Sequence, residues 1–416
     1  MDNRKKLRPI ISVLCVASAA ALLAGCDILP GEVERMFEPE PTRPVQSSAE
    51  PKDIKTREGA YNSYGYDSLS DSKTLQLDYE TLDAYVSKSY SEEFTLDNTS
   101  VEDFDRVLEA YENDHPEVFW LDDSSRYSYS DDGGDLTVEL NFTVTGDDLG
   151  SRKKELDQAA EAAKSGAPAS ATDYEVEKYI NDYIIENCEY VDGADNCHDA
   201  YGALVNGKAV CDGYSRAFQL LCNKMDIECV TVEGDAAEFN AKVADESDVG
   251  HMWNCVKLDS DWYHVDVTWN DGEARIQRYL YFNLSDEEVK QSHTIFPLYG
   301  EAQPGDYLFL NVWLPECSSD EYNYFKRECP TVSNLDDDGD VIAALIAAAE
   351  NGDEYVDIVV DDSLDYSDVV DSITESYGYN WLSAANYYLE DTKIATDSTF
   401  YTYEDVPVVT FVLQYE

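Results

Sequence analysis

Val210-Cys211-Asp212-Gly213-Tyr214-Ser215-Arg216-Ala217-Phe218 is the stretch on which the reading of this chain turns. A glycine-bearing turn leads into a segment with apolar residues at 214, 217, 218, 221 and 225. That spacing predicts an amphipathic helix opening at the cysteine. A thiol at a helix N-terminus faces the positive end of the macrodipole, which favours the thiolate, the species that attacks carbonyl carbon. Such a nucleophile needs a base beside it and a third group to orient the base. His251 and Asp266 follow in that order.

Strand arithmetic places these two together. Residues 251–258 and 261–269 both carry strand-type residues, and Asp259-Ser260 between them reads as a two-residue hairpin turn. In that register Leu258 faces Asp261, Trp253 faces Asp266 and His251 faces Thr268. Side chains alternate, so His251, Trp253, Asp266 and Thr268 share one face, with His251 diagonal to Asp266 and turned toward the Cys211 helix. Met252, Val256, Leu258, Val265, Val267 and Trp269 form the opposite, core face. His264 also falls on the first face and is the rival base, one rung nearer the turn.

Three blocks carry a family resemblance. They are Ala200-Tyr201-Gly202-Ala203-Leu204 with Val210-Cys211-Asp212-Gly213-Tyr214, then His251-Met252-Trp253-Asn254, then Trp262-Tyr263-His264-Val265-Asp266-Val267-Thr268-Trp269. Together they closely resemble the transglutaminase-like superfamily, more narrowly its bacterial secreted members, over roughly residues 170–300. The resemblance implies an α+β fold with a papain-like core, a central helix against an antiparallel sheet. It also implies Cys211 as nucleophile, His251 as general base and acid, and Asp266 as the orienting carboxylate. Asp114-His115-Pro116-Glu117-Val118-Phe119-Trp120 resembles the module that often precedes this core. Nothing in the sequence marks the second oxyanion-hole donor.

The chain start has its own architecture. Arg4, Lys5, Lys6 and Arg8 precede an uncharged run from Ile10 to Leu23, then Leu23-Ala24-Gly25-Cys26. The run is too short for a bilayer core, which needs about 20 residues, and reads as a signal peptide. Its ending resembles the bacterial lipoprotein cleavage box, which implies removal of residues 1–25 and lipid attachment to Cys26. The protein is then expected outside the cytoplasm, lipid-anchored to the bacterial cell membrane.

With 87 acidic against 29 basic residues the net charge is −58, and removal of residues 1–25, net +3, takes it to −61. So acidic a body repels nucleic acid and anionic headgroups, which excludes them as partners. No Cys-x-x-Cys, His-Glu-x-x-His, Gly-x-Ser-x-Gly or phosphate-loop pattern occurs, so no metal and no cofactor is expected. Of the ten cysteines, Cys15 lies in the expected signal, and the resemblances assign Cys26 to the lipid and Cys211 to the nucleophile. Cys188 with Cys197, and Cys317 with Cys329, are candidate local disulfides, with buried free thiols as the alternative.

Five segments result: a signal peptide (1–25), a Pro-, Glu- and Ser-rich disordered tether (26–60), an N-terminal α+β module (61–165), the core (166–300) and a C-terminal α/β module (301–416). In the N-terminal module, apolar residues at 75, 79, 82 and 86 predict one helix. Ser100 with Asp103 caps a second, residues 126–130 and 136–144 read as strands, and a charged helix starts near Leu149. Thr172 and Glu175 cap the first core helix. The C-terminal module reads as a helix over 340–349, a strand over 355–360, a helix ending at Gly378 and a strand over 408–414. Asn334-Leu335-Asp336-Asp337-Asp338-Gly339-Asp340 begins like a calcium loop, but Leu345 stands where a bidentate Glu is needed, so it reads as a solvated helix-capping turn.

Two classes of function follow. One is an envelope-anchored thiol enzyme acting on peptide or amide bonds of a peptide, protein or cell-wall substrate, through a thioester resolved by water or, alternatively, by an amine as in transglutamination. The other is a non-catalytic module holding a cell-wall or peptide ligand. Substitution Cys26→Ser should abolish lipid modification and membrane retention, read by mass spectrometry and fractionation; wild-type protein found soluble with an unmodified residue 26 would refute the anchor.

Overall fold

The computed structural model describes residues 10–11, 63–122, 125–131, 134–236, 250–272, 275–301, 310–334, 339–361, 363–374, 378–390, 392–396, 398–403 and 406–415. The expected signal peptide and tether lie outside these, apart from Ile10–Ile11, as does most of the calcium-like run. Among the described residues the chain divides into two compact units, one of residues 63–328 and one of residues 10–11 and 329–415. Residues 310–328 therefore belong to the first unit with the core, and the N-terminal module packs into that same unit.

Local sequence chemistry sets the first elements. Helix α1 (Lys73–Val86) buries Leu75, Tyr79, Leu82 and Val86, the apolar stripe of a 3.6-residue period. Strand β1 (Phe94–Asp97) follows, and then α2 (Val101–Asp114), opened by a reciprocal Ser100/Asp103 capping box. Strands β2 (Tyr127–Asp131) and β3 (Asp135–Leu140) complete a three-stranded sheet with β3 central, and α3 (Gly146–Gly166) closes the module. Asp114, at the end of α2, is buried and accepts from the backbone N–H groups of Gly65 and Tyr66 and from the Tyr79 hydroxyl.

The core is a five-stranded antiparallel sheet carrying helices. Helix α4 (Asp173–Asn187) opens on the Thr172/Glu175 capping box, and α5 (Cys211–Lys224) begins at the cysteine. Strands β4 (Cys229–Ala236), β5 (His251–Leu258), β6 (Asp261–Val265), β7 (Phe282–Leu284) and β8 (His293–Ile295) lie in the order β7-β6-β5-β4-β8. The β5–β6 hairpin pairs Leu258 with Asp261 and Cys255 with His264, the register that the two-residue turn dictates. The second strand ends earlier than its composition predicts. At Asp266 the chain turns into a short helix, Val267–Asn270, because the Asp266 carboxylate caps the Trp269 N–H; Thr268 does not face His251 across the sheet.

Helix α5 lies against the Met252/Asn254 side of β5. Ser215 Oγ donates to the Met252 carbonyl at 2.9 Å, and Asn254 Nδ2 donates to the Ser215 carbonyl at 3.1 Å. The opposite side, with Trp253 and Cys255, is covered by Cys317, Trp313 and Leu314. Both sides of β5 are thus buried. A side chain at Gly213 would strike the Cys197 carbonyl, and one at Gly234 would strike the Trp253 ring, so both glycines are required by close approach.

The second unit has a sheet of β9 (Thr331–Val332), β10 (Tyr355–Val360), β11 (Thr399–Thr402) and β12 (Val408–Val412), in the order β11-β12-β10-β9, with Ile10–Ile11 paired to β11. Helices α6 (Gly339–Asn351), α7 (Tyr366–Thr374) and α8 (Gly378–Tyr388) supply the rest of its core. Gly378 opens a helix here rather than closing one.

Glu177 on α4 is fully buried, and its Oε2 accepts from Asn283 Nδ2 at 3.0 Å while Oε1 has no partner. Burial pushes its carboxyl up to about 8. A carboxyl raised on folding contributes stability that is complete below its unfolded value and is lost as pH rises through the folded one. Glu177→Gln should therefore flatten the dependence of Tm on pH between 5 and 8, over which this one group costs wild type on the order of 3 kcal/mol. Identical slopes for the two proteins in scanning calorimetry would show that Glu177 is not the titrating group.

Candidate active site

Cys211 is the first residue of α5, and its N-cap, Val210, offers no side-chain acceptor to the helix. The Met252 backbone N–H hydrogen-bonds the Cys211 sulfur, which sets the thiol against the start of β5, where His251 stands. His251 Nε2 lies 2.7 Å from Asp266 Oδ2. With Nε2 held there, Nδ1 is the ring atom left to face a thiol. The structure thus gathers Cys211, His251 and Asp266 at one end of the sheet, from a helix start, a strand start and a helical cap.

Asp266 is the most heavily bonded of the three. Its Oδ1 accepts the Trp269 N–H at 3.0 Å, and its Oδ2 takes both His251 and His293 Nε2, the latter at 3.0 Å. Burial opposes its charge, but the two imidazoles outweigh it and hold the carboxyl well below the usual range. Two further contacts fix the turn: Asp266 N–H donates to the Tyr281 carbonyl, and Asn270 bridges Asn181 and the Tyr281 N–H.

His293 is absent from the sequence reading. It is buried among Trp253, Trp269 and Tyr281, and burial lowers its tendency to protonate. With Ser292 Oγ at 2.8 Å from Nδ1, a neutral ring donates through Nε2 to Asp266. No local motif surrounds it; one of only five histidines, it was findable only by that scarcity.

The rival base sits elsewhere. His264 Nε2 pairs with Asp286 Oδ1 at 2.9 Å, and its Nδ1 faces the Trp253 indole N–H at 3.1 Å and Cys255 Sγ at 3.2 Å. That occupies the Trp253 indole, which leans on His251 from one side.

The thiol's electrostatics differ from the helix-terminus expectation. Cys211 donates its S–H to Asp212 Oδ1 at 3.0 Å. Burial first, and the Asp212 carboxylate second, push the thiol well above its ordinary range. Asp212 stays ionised because His198, 3.0 Å away, together with Cys211 and Arg216, outweighs its own burial and holds it down to about 2. A helix dipole contributes about 0.3–1 kcal/mol, less than one pKa unit, whereas burial with a neighbouring like charge moves a group by several. Burial and the neighbouring carboxylate thus disfavour the Cys211 thiolate.

Two trios have the donor types of metal sites, His251/Asp266/His293 and Cys255/His264/Cys317, each with its donor atoms within 4.8 Å. In the first, both Nε2 atoms are already directed at Asp266 Oδ2, so a cation would have to displace the hydrogen bonds that orient the dyad. Neither expected local disulfide is formed: Cys188, Cys197 and Cys317 are free thiols, and Cys317 Sγ lies 3.6 Å from Cys255 Sγ. The Cys255 side chain, facing out of β5, meets the covering segment at Cys317.

Residues 160–267 match the family described as the transglutaminase-like superfamily. This stretch is a transglutaminase-like domain. Over 67 residues, 16% of this chain, the sequence is 36% identical to the kyphoscoliosis peptidase of Mus musculus and 34% identical to that of Homo sapiens. Those matches span 10% of either relative's length. Among solved structures, a TGase is similar at 16% identity, covering 36% of this chain and 48% of that one with a TM-score of 0.24. A protein of Cytophaga hutchinsonii described as a cysteine protease is similar at 17% identity, covering 34% and 61%, with a TM-score of 0.23.

Asp212→Asn removes the charge that disfavours the thiolate. It should raise the rate at which iodoacetamide alkylates Cys211 at pH 7 by about tenfold. An unchanged rate, followed by peptide mass spectrometry, would show that burial alone sets the thiol's acidity.

Proposed function

We propose that the protein is a lipid-anchored thiol enzyme of the bacterial envelope that hydrolyses peptide or amide bonds, with Cys211 as nucleophile, His251 as general base and acid, and Asp266 as orienting carboxylate. The observation that carries this is the 2.7 Å bond from His251 Nε2 to Asp266, beside a strand-start N–H that contacts the Cys211 sulfur. Because the thiolate is disfavoured, the thiol's proton passes to His251 Nδ1 as the sulfur attacks the substrate carbonyl. Asp266 stabilises the imidazolium so formed. The uncapped start of α5 leaves first-turn N–H groups without intrahelical partners, and these receive the developing oxyanion. Collapse expels the amine, protonated by His251, and leaves a thioester; water, deprotonated by the same imidazole, then releases the acid.

The test is a mass-resolved product assay on glutamine and peptide substrates with excess primary amine. Free acid should predominate, and Cys211→Ala should abolish turnover. Predominant amine adducts would make the enzyme a transferase, and no turnover across a broad panel would favour a binding module.

A further inference from the structure

Below the candidate dyad, on the same face of β5, lies a second chemical cluster that the reaction does not use. His251, Trp253 and Cys255 alternate along the strand, and Cys255 stands opposite His264 of β6. Cys317, from the segment covering this face, brings its sulfur to 3.6 Å from that of Cys255. Both cysteines are completely buried, in a shell of Val230, Val232 and Trp253. We propose that Cys255 and Cys317 are a redox pair that closes to a disulfide, with His264 and Asp286 carrying away the proton of the attacking thiol.

Packing of two small apolar side chains would need no base, yet one is built in. The Trp253 indole N–H points at His264 Nδ1, so that nitrogen is the acceptor and Nε2–H donates to Asp286. Cys255 Sγ lies 3.2 Å from Nδ1 as well, so the indole N–H and the thiol share its one lone pair. Asp286 remains 31% exposed and connects this buried ring to solvent. The Cys317 backbone is pinned as well, since its carbonyl accepts the Asp286 N–H at 2.7 Å and Ser319 Oγ bonds the Tyr263 hydroxyl at 2.9 Å. The Cys255 S–H and His264 hold the Cys317 thiol below its usual range against its burial, whereas burial raises that of Cys255. One thiolate accepting from its neighbouring thiol is the reduced form that thiol–disulfide exchange requires.

The chemistry balances with an external disulfide as oxidant. Cys317 thiolate attacks one sulfur of that disulfide, expels a thiolate and becomes a mixed disulfide. Cys255 gives its proton to His264, attacks Cys317 Sγ and expels the second thiolate. Two electrons pass to the oxidant, which leaves as two thiols, and the proton exits through Asp286. Because both sulfurs are buried, exchange takes place while the covering segment is open, during folding or a local opening. The bridge closes the loop over residues 256–316 and fastens the cover to the strand that bears His251. A zinc ion held by Cys255, His264 and Cys317 is the competing occupant.

The experiment uses the full chain, folded with oxidised glutathione, alkylated in denaturant and digested without reductant. A linked pair of peptides containing Cys255 and Cys317 is expected, together with a Tm that falls by roughly 10 °C on reduction. That fall should vanish in Cys317→Ser. If this variant does not fold, the linked peptide in wild type decides alone. Both cysteines recovered fully alkylated would overturn the proposal. So would one zinc per chain in elemental analysis of the protein folded without oxidant in the presence of zinc, displacing the bridge.

Discussion

The Asp266 carboxylate is the group around which the core is arranged. An ionised carboxylate with almost no solvent contact costs several kcal/mol in desolvation unless donors surround it. Here the donors come from three places: the Trp269 N–H of its own helical turn, His251 at the start of β5 and His293 at the start of β8. Removing any one leaves a buried charge short of a partner. The bonds that keep this carboxylate charged also bring two strand starts to the end of β6, so the stability of the fold and the orientation of His251 rest on the same contacts.

Trp253 divides this face into two compartments. Its ring lies against His251 and His293 on one side, and its indole N–H is committed to His264 on the other. Two histidines of neighbouring strands on one face thereby acquire separate carboxylates, Asp266 for His251 and Asp286 for His264. Gly234 is part of the device, since only a residue without a side chain leaves room for the indole. The opposite side of β5 meets helix α5 through Ser215 and Asn254, which fixes the height at which Cys211 emerges.

The disfavoured Cys211 thiolate gives the proposed chemistry its character. Burial and Asp212 outweigh the helix terminus, so in the proposed reaction the thiolate would form only as its proton moves to His251. His198 keeps Asp212 charged and so helps to hold the thiol in its protonated form.

Much of this was legible in the sequence because it rests on local rules. Capping boxes at Ser100/Asp103 and Thr172/Glu175, the apolar stripe of α1, the helix opening at Cys211 and the Asp259-Ser260 hairpin register each depend on residues a few positions apart. What remained hidden depends on long-range contact. That β6 ends at Val265 follows from where Asp266 finds its partners. Gly378 begins a helix although glycine more often ends one. His293 and the pairing of Cys255 with Cys317 join segments separated by a loop or more, with no spacing to announce them. The acidity of Cys211 is of the same kind: the sequence by itself determined that a cysteine starts a helix, with a histidine and an aspartate behind it. Only the tertiary structure decided that burial and an adjacent carboxylate, stronger at close range than the helix dipole, push that cysteine's thiol up rather than down.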